Sequence, residues 1–229
     1  MMELLSKEKI REIIAKRAAK EFKDGDVVTL GIGLPTEVTK YIPPSTKVMF
    51  QSENGLLGVG KNQDIDNIDE RVINAGGGYV ETVEGACFYD SQMAFILMRG
   101  GHIDATVLGA LQVDSEGNLA NWSVPNKFTP GMGGAMDLVV GAKKVIVVME
   151  HTSKGQIKIV EKCNLPLTAS CEVNLIITEK CVFRVLKNSD GTPDGLLLEE
   201  INPMFTVDDI KKTTGCDFKI SEKLVEMEV

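Results

Sequence analysis

Residues 51–55, which directly follow an apolar run, read Gln-Ser-Glu-Asn-Gly and contain a glutamate at position 53. The preceding residues 47–50, Lys-Val-Met-Phe, predict a buried strand of a parallel sheet, because such strands are short apolar runs ended by turn residues. Open α/β sheets bind ligands just beyond the carboxyl ends of their strands, where Glu53 is expected. A free glutamate side chain has a pKa of about 4.3, so its carboxylate can act as a nucleophile without an activating base. Alternatively, Ser52 or Asn54 merely caps a turn, and the motif alone favours neither interpretation.

A glycine-rich segment supplies the second group of candidates. Residues 130–138 read Pro-Gly-Met-Gly-Gly-Ala-Met-Asp-Leu and predict a loop that enters a helix running to about Val140. Consecutive glycines at a helix N-terminus leave backbone N–H groups open to an oxyanion or a phosphate. A tight turn packed against the sheet is the alternative, and it is favoured when this segment is considered alone.

Fingerprints for nucleotide cofactors are missing from the sequence. The glycines at 131–134 are not followed by Gly-Lys-Ser/Thr, as a P-loop requires, and Gly31-x-Gly33 lacks the third glycine of a dinucleotide site. The only histidines, His102 and His151, are far from each other and from the cysteines, so structural roles are expected and neither a metal site nor a triad is indicated. The five cysteines contain no Cys-x-x-Cys pair and predict buried free thiols in a reducing compartment.

Composition places the chain among ordinary globular proteins. It has 229 residues, 43% of them hydrophobic and 25% charged, which suits one α/β domain over residues 1–229. The net charge of −8 and the lack of a basic run argue against nucleic acid as a partner. No apolar run is long enough to cross a membrane and the first residues do not resemble a signal peptide, so a cytoplasmic protein is expected.

The elements that must position these residues alternate between helix and strand. The pattern predicts helices over residues 6–22, from 34 to 41 and over 91–99, the last capped by Asp90 and buried all round, and a final helix after a Thr206–Asp209 capping box. Strands are predicted at residues 27–30, 47–50, 72–74, 105–108, 145–149, 174–178, 182–185 and 196–198, and residues 64–69 are predicted to be a solvated loop. The strands at 174–178 and 182–185 are close enough for an antiparallel hairpin. The expected fold class is α/β, with an open, mixed and mostly parallel sheet and flanking helices.

Several motifs together resemble the β subunit of family I coenzyme A transferases. They are residues 51–58 (Gln-Ser-Glu-Asn-Gly-Leu-Leu-Gly), 31–36, 72–77, 99–104 and 131–139, in the order that family shows. The similarity runs from the first helix to about Thr178 and is weak from Lys187 onward. Within the family the chain is most similar to the acetoacetate/acetate or butyrate-type (3-oxoacid) enzymes.

The resemblance implies a CoA-transferase-like (sugar-phosphate-isomerase-like) fold and a reaction. Glu53 would be the catalytic nucleophile of a ping-pong transfer of CoA between a short-chain acyl-CoA and a carboxylic acid, through glutamyl anhydride and glutamyl-CoA thioester intermediates. Coenzyme A would be a co-substrate, with no permanently bound cofactor and no metal. A separate α subunit would complete the site, in an α2β2 assembly. The implied oxyanion and CoA-binding residues are Gly133, Gly134, Ala135, Asn54, Gly55, Gly31 and Gly33.

Two other functions use the same residues. An acyl-CoA hydrolase on this scaffold would keep Glu53 but admit water to the covalent intermediate. A catalytically silent subunit would bind acyl-CoA without forming an adduct. The intact 52–55 signature and the glycine turn favour the transferase over both.

Overall fold

The computed structural model describes residues 5–64, 66, 68–127 and 129–228, and in these residues ten strands form one sheet. The helices are α1 (Lys7–Ala19), α2 (Leu34–Glu37), α3 (Ser91–Arg99), α4 (Ala135–Gly141) and α5 (Val207–Thr213), with a 3-10 turn at Val38–Tyr41. The strands of the main sheet are β1 (Val27–Leu30), β2 (Met49–Ser52), β3 (Leu56–Asn62), β4 (Val80–Phe88), β5 (Ala105–Leu108), β8 (Val145–Val148), β12 (Leu175–Ile177), β13 (Cys181–Lys187), β14 (Pro193–Ile201) and β15 (Phe218–Glu226). The short strands outside it are β6 (Gln112–Asp114), β7 (Leu119–Ala120), β9 (Thr152–Ser153), β10 (Gln156–Ile157) and β11 (Ile159–Val160).

Five adjacent strands at the centre of the main sheet run parallel, in the order β12-β8-β5-β1-β2. Their carboxyl ends therefore meet at one edge. Antiparallel strands flank this block on both sides, β3 and β4 beyond β2, and β13 and β14 beyond β12, while β15 pairs parallel with β14. The mixed, mostly parallel sheet expected from the sequence is confirmed.

The two faces of the parallel block bury different cores. Alternate side chains of a strand point to opposite faces, so Val28 packs beneath α1 whereas Leu108 packs with α3 and α4. Ser6 caps α1 by accepting a hydrogen bond from the Lys9 N–H at 3.2 Å. The helices α3 and α4 approach closely, since a Cβ on Gly141 would overlap the Met98 carbonyl. This packing places the start of α4 over the carboxyl end of the sheet.

Most buried elements lie where the sequence predicts them. The strands at 27–30, 105–108, 145–149, 174–178 and 182–185 are confirmed within two residues, as is the antiparallel hairpin. Asp90 caps α3 by accepting the Met93 N–H at 2.8 Å, and the Thr206–Asp209 capping box before α5 is present.

The remaining expectations differ from the structure in part. The strand predicted at 47–50 is present but lies two residues later, at Met49–Ser52, because the Lys47 N–H donates to the Asp24 side chain in a turn. Residues 72–74 form only an isolated bridge from Ile73 to Tyr79, and α3 is not buried all round, since Met93 and Ile96 are 45% and 51% exposed. Of the cysteines, Cys181 is buried but Cys87 is exposed. In the predicted loop at 64–69, residues 65 and 67 lie outside the described residues.

In the described residues, no helix is both long enough and apolar enough to cross a membrane.

Candidate active site

Glu53 opens the turn that joins β2 to β3, directly beyond the carboxyl end of β2. The turn closes with a hydrogen bond from the Gly55 N–H to the Ser52 carbonyl at 3.0 Å. Gly55 has a φ of +109°, which favours glycine, and a Cβ there would overlap the Tyr89 carbonyl oxygen. Gly55 therefore allows the chain to turn sharply and leaves the Glu53 side chain half-buried at the sheet edge.

The first turn of α4 faces the Glu53 carboxylate. The Gly134 N–H donates to Glu53 Oε1 at 3.3 Å, a long hydrogen bond. A Cβ on Gly134 would lie 2.7 Å from Glu53 Cδ and would overlap Oε2, so only glycine permits this approach. Gly133, with a φ of +55°, turns the chain into this position, and its own Cβ would lie 3.9 Å from Glu53 Oε1. A backbone N–H thus points at the carboxylate with no side chain between them.

A second loop holds the Glu53 turn from the side. The Ser52 hydroxyl accepts the Ala75 N–H at 2.8 Å, and the Asn54 amide donates to the Ile73 carbonyl at 2.8 Å. Within that loop, the Asn74 side-chain oxygen accepts N–H groups of Gly76 and Gly78 at 2.9 and 3.0 Å. Ser52 and Asn54 therefore fix the turn through the 73–78 loop, so the capping role considered for them and a working role for Glu53 are compatible.

The loop after β1 forms the neighbouring part of the same edge. The Gly31 N–H donates to the Val107 carbonyl at 2.8 Å, and Gly33 has a φ of +95°. Between them Ile32 is 77% exposed and lies against Gly76, whose Cβ would stand 3.3 Å from Ile32 Cγ1. This loop thus places an exposed apolar side chain against the 73–78 loop.

The residues expected at the site differ in whether they contact the Glu53 carboxylate. Gly134 bonds to Glu53 and Gly133 lies beside it, whereas the Ala135 N–H is directed to the Met132 carbonyl at 3.2 Å. Asn54 is bonded to the 73–78 loop, and Gly31 and Gly33 lie on the adjacent strand end. Two contributors to the site, Ser52 and Tyr89, were not singled out from the sequence as site residues, although Ser52 was noted as a possible turn cap.

The histidines lie away from Glu53. His102 is exposed before β5, and His151 is fully buried beyond β8 with its ring between the hydroxyls of Thr178 and Thr214, at 3.0 and 3.1 Å. Burial, with a smaller effect of Lys180, lowers the pKa of His151 to about 3, so its ring is neutral. The structural role expected for His151 fits its position, and the one expected for His102 stays a prediction. The described residues contain no cluster of side chains suited to a metal ion.

Comparison with known proteins agrees with the fold and the motifs. The coenzyme A transferase family model matches residues 11–213, so the similarity, which was expected to be weak from Lys187 onward, extends past that residue. The chain is 48% identical over 220 residues to the acetate CoA-transferase subunit beta of Haemophilus influenzae, covering 96% of each chain. It is 49% identical to the mitochondrial succinyl-CoA:3-ketoacid coenzyme A transferase 2A of Rattus norvegicus, of which it spans only 41%.

A solved structure shows the same fold at lower sequence similarity. The acyl-CoA transferase YdiF apoenzyme of Escherichia coli O157:H7 superposes with a TM-score of 0.76 at 22% identity. The match covers 98% of the present chain and 44% of that longer chain. The fold is therefore shared with a protein more than twice as long.

Proposed function

Because this chain belongs to the coenzyme A transferase family, we propose that it is the catalytic β subunit of an enzyme that moves CoA from a short-chain acyl-CoA to a carboxylic acid, with Glu53 as nucleophile. The observation that carries the proposal is the contact between the Gly134 N–H and Glu53 Oε1. The glycine turn contacts this carboxylate, and the 73–78 loop holds the turn that carries it at the sheet edge. Gly134 has a φ of −82°, which any residue adopts, so glycine is favoured there by the approach of the Glu53 carboxylate and not by the backbone conformation.

The first half-reaction transfers CoA to the enzyme. A Glu53 oxygen attacks the thioester carbonyl and expels CoA thiolate, which leaves an acyl-glutamyl anhydride. The thiolate then attacks the Glu53 carbonyl carbon, the original acid departs as a carboxylate, and a glutamyl-CoA thioester remains. Negative charge develops on a Glu53 oxygen in this second attack, and the Gly134 N–H is placed to stabilise it.

The second half-reaction reverses these steps with a different acid. The incoming carboxylate attacks the glutamyl thioester and releases the thiolate, forming a new anhydride. The thiolate attacks the new acyl carbonyl, which releases the new acyl-CoA and restores the Glu53 carboxylate. No proton is transferred in the cycle, which agrees with a site where the described histidines lie elsewhere. The anhydride must be sheltered from water, and exposed Ile32 provides part of an apolar wall.

A partner subunit is part of the proposal. Relatives of equal length carry the name subunit beta, and the rat relative is a single chain more than twice as long. We expect an α subunit to cover the exposed edge around Glu53 and to complete the CoA site, with α2β2 as the expected assembly. The names of these relatives favour acetate and 3-oxo acids as substrates.

Covalent trapping tests the proposal directly. The chain, co-purified with its α partner, is incubated with acetoacetyl-CoA and then with borohydride, which reduces a glutamyl thioester to a stable alcohol. Peptide mass spectrometry is expected to find the reduced side chain at residue 53. CoA release without any acceptor acid would instead identify a hydrolase, and an unmodified Glu53 in a complex that binds CoA would identify a silent subunit.

A further inference from the structure

A row of three polar side chains crosses the sheet on the face covered by α3 and α4. Gln51 of β2, Thr29 of β1 and Thr106 of β5 are in register, and all three are buried. The Thr29 hydroxyl donates to the Thr106 hydroxyl at 2.9 Å. Gln51 is only 4% exposed, and neither its Nε2 nor its Oε1 has a hydrogen-bond partner among the described residues.

The Tyr89 hydroxyl is a third such atom, buried without a hydrogen-bond partner in the part of the chain that the structure describes. Strand pairing sets Gln51 opposite Leu57 and Leu57 opposite Cys87, so Tyr89, two residues after Cys87, follows on the face of the sheet that Gln51 occupies. Burial raises the pKa of the Tyr89 phenol, and hydrogen bonding with the Gln51 side chain lowers it, which agrees with this proximity. The two side chains can each donate and accept, yet neither reaches a well-formed hydrogen bond among the described residues. Leaving such groups unpaired is costly, and a buried water with two to four polar partners is the usual solution.

Both side chains are attached to the turn that carries Glu53. Gln51 lies two residues before Glu53, at the end of β2. Tyr89 approaches from the other side, where its N–H donates to the Gly55 carbonyl at 2.9 Å and its own carbonyl occupies the space that a Cβ on Gly55 would need. The backbones of Gln51 and Tyr89 thus adjoin the two ends of the turn.

We propose that the Gln51 carboxamide and the Tyr89 hydroxyl share one buried water molecule, and that this network is a positioning element for Glu53. The inference rests on the proposed transfer reaction. The water accepts from Gln51 Nε2 and donates to the Tyr89 oxygen, which joins the end of β2 to the start of α3. The network fixes the position of the turn, so the side-chain carboxyl group of Glu53 remains beside the Gly134 N–H through the successive covalent steps.

Gln51→Leu, Tyr89→Phe and the double variant test the network in the complex with the α subunit. Each single variant is expected to lower kcat about tenfold while the KM for acyl-CoA stays within about twofold, because geometry and not binding is lost. The double variant should be no slower than the slower single variant, since both changes break the same network. Thr106→Val is the matched control: it disturbs the same polar row two strands away, and its kcat should equal that of the wild type.

Two results overturn the inference. In the first, both single variants keep the wild-type kcat, or their effects multiply in the double variant. In the second, a high-resolution crystal structure of the complex shows no water within hydrogen-bond distance of both side chains. If the wild-type complex transfers no CoA, the proposed function and this inference fall together; if it transfers CoA and the variants are unaffected, this inference falls alone.

Discussion

Two regions at the same edge of the sheet place ionisable side chains beyond parallel strands, with different results. Glu53 follows β2 and is half-buried, with one long hydrogen bond from Gly134. Three strands away, His151 follows β8 and is fully buried. The backbone N–H of His151 donates to Oε2 of Glu179, a residue beyond β12, at 2.8 Å. The His151 ring is enclosed by hydroxyl partners, whereas Glu53 faces glycines. A position beyond a strand is thus a working site only where access and hydrogen-bonding capacity remain.

Replacing the proposed nucleophile is the most severe way to test this comparison. Glu53→Gln should reduce CoA transfer by on the order of 10⁴-fold or more, because an amide does not form the anhydride. The variant should fold normally, since Glu53 is half-buried and makes one weak contact. Transfer is measured as acyl-CoA exchange with the α subunit present, and a variant with wild-type turnover would show that the site lies elsewhere.

Filling the space opposite the Glu53 carboxylate with a methyl group should have the next largest effect on kcat. Gly134 has a φ of −82°, so Gly134→Ala adds no backbone strain, but its Cβ would overlap the carboxylate. We expect kcat to fall on the order of 100- to 1000-fold, comparable to the loss of an oxyanion donor. Gly109→Ala is the matched control, because it also lies at this sheet edge and its Cβ would meet nothing within 4 Å. Equal kcat values for the two variants would contradict the role of Gly134.

The His151 region should respond in stability, not in activity. The folded pKa of about 3 lies below the usual value of 6.5, so only the unfolded chain takes up a proton as the pH falls below 6.5. The free energy of unfolding is therefore unaffected by this group above pH 6.5. It decreases progressively as the pH falls toward 3, and the loss reaches about 3 kcal/mol at pH 4.5.

Urea unfolding of the wild type and of His151→Gln between pH 7.5 and 4.5 measures this difference. Below pH 6.5 the free energy of unfolding should fall more steeply with decreasing pH for the wild type than for His151→Gln, because the other titrating groups are common to both proteins. Transfer activity of His151→Gln at pH 7.5 should stay within about twofold of the wild type. A large loss of kcat in a folded variant would mean that the two regions are functionally coupled.

Sequence patterns located the buried parts of both regions but not their contacts. The strands β8 and β12 are continuous apolar runs, and β1 and β5 are interrupted by one threonine each; such runs are readable because both faces of the sheet are buried. The edge strand β4 was missed because it is largely exposed and its polar residues do not alternate with apolar ones, and β3 was missed because Gly58 and Gly60 resemble a loop. These glycines let β4 approach closely, since a Cβ on Gly58 would lie 2.7 Å from the Ala86 Cβ.

The contact that defines the candidate site was beyond local patterns. Glu53 and Gly134 are 81 residues apart, and nothing in either segment alone specifies that α4 starts over β2. Their pairing could be expected only from the resemblance of both motifs to one family. The burial of His151 was equally hidden, because its hydroxyl partners lie 27 and 63 residues further along the chain.

The substitution with the smallest expected effect distinguishes between two roles of Asn54, fixing the Glu53 turn and binding the substrate. Asn54→Ala removes the 2.8 Å bond to the Ile73 carbonyl at an exposed position, which typically costs about 1 kcal/mol, or roughly a fivefold change. If Asn54 only fixes the turn, kcat falls by about that factor and the KM for acyl-CoA is unchanged. A raised KM with normal kcat would instead place Asn54 in the CoA-binding surface.

In the His151 region, Thr178→Val removes a buried hydrogen-bond partner and should lower the free energy of unfolding by about 1–3 kcal/mol, with no change in kcat or KM. The loss of one side-chain hydrogen bond is therefore expected to affect turnover only beside Glu53.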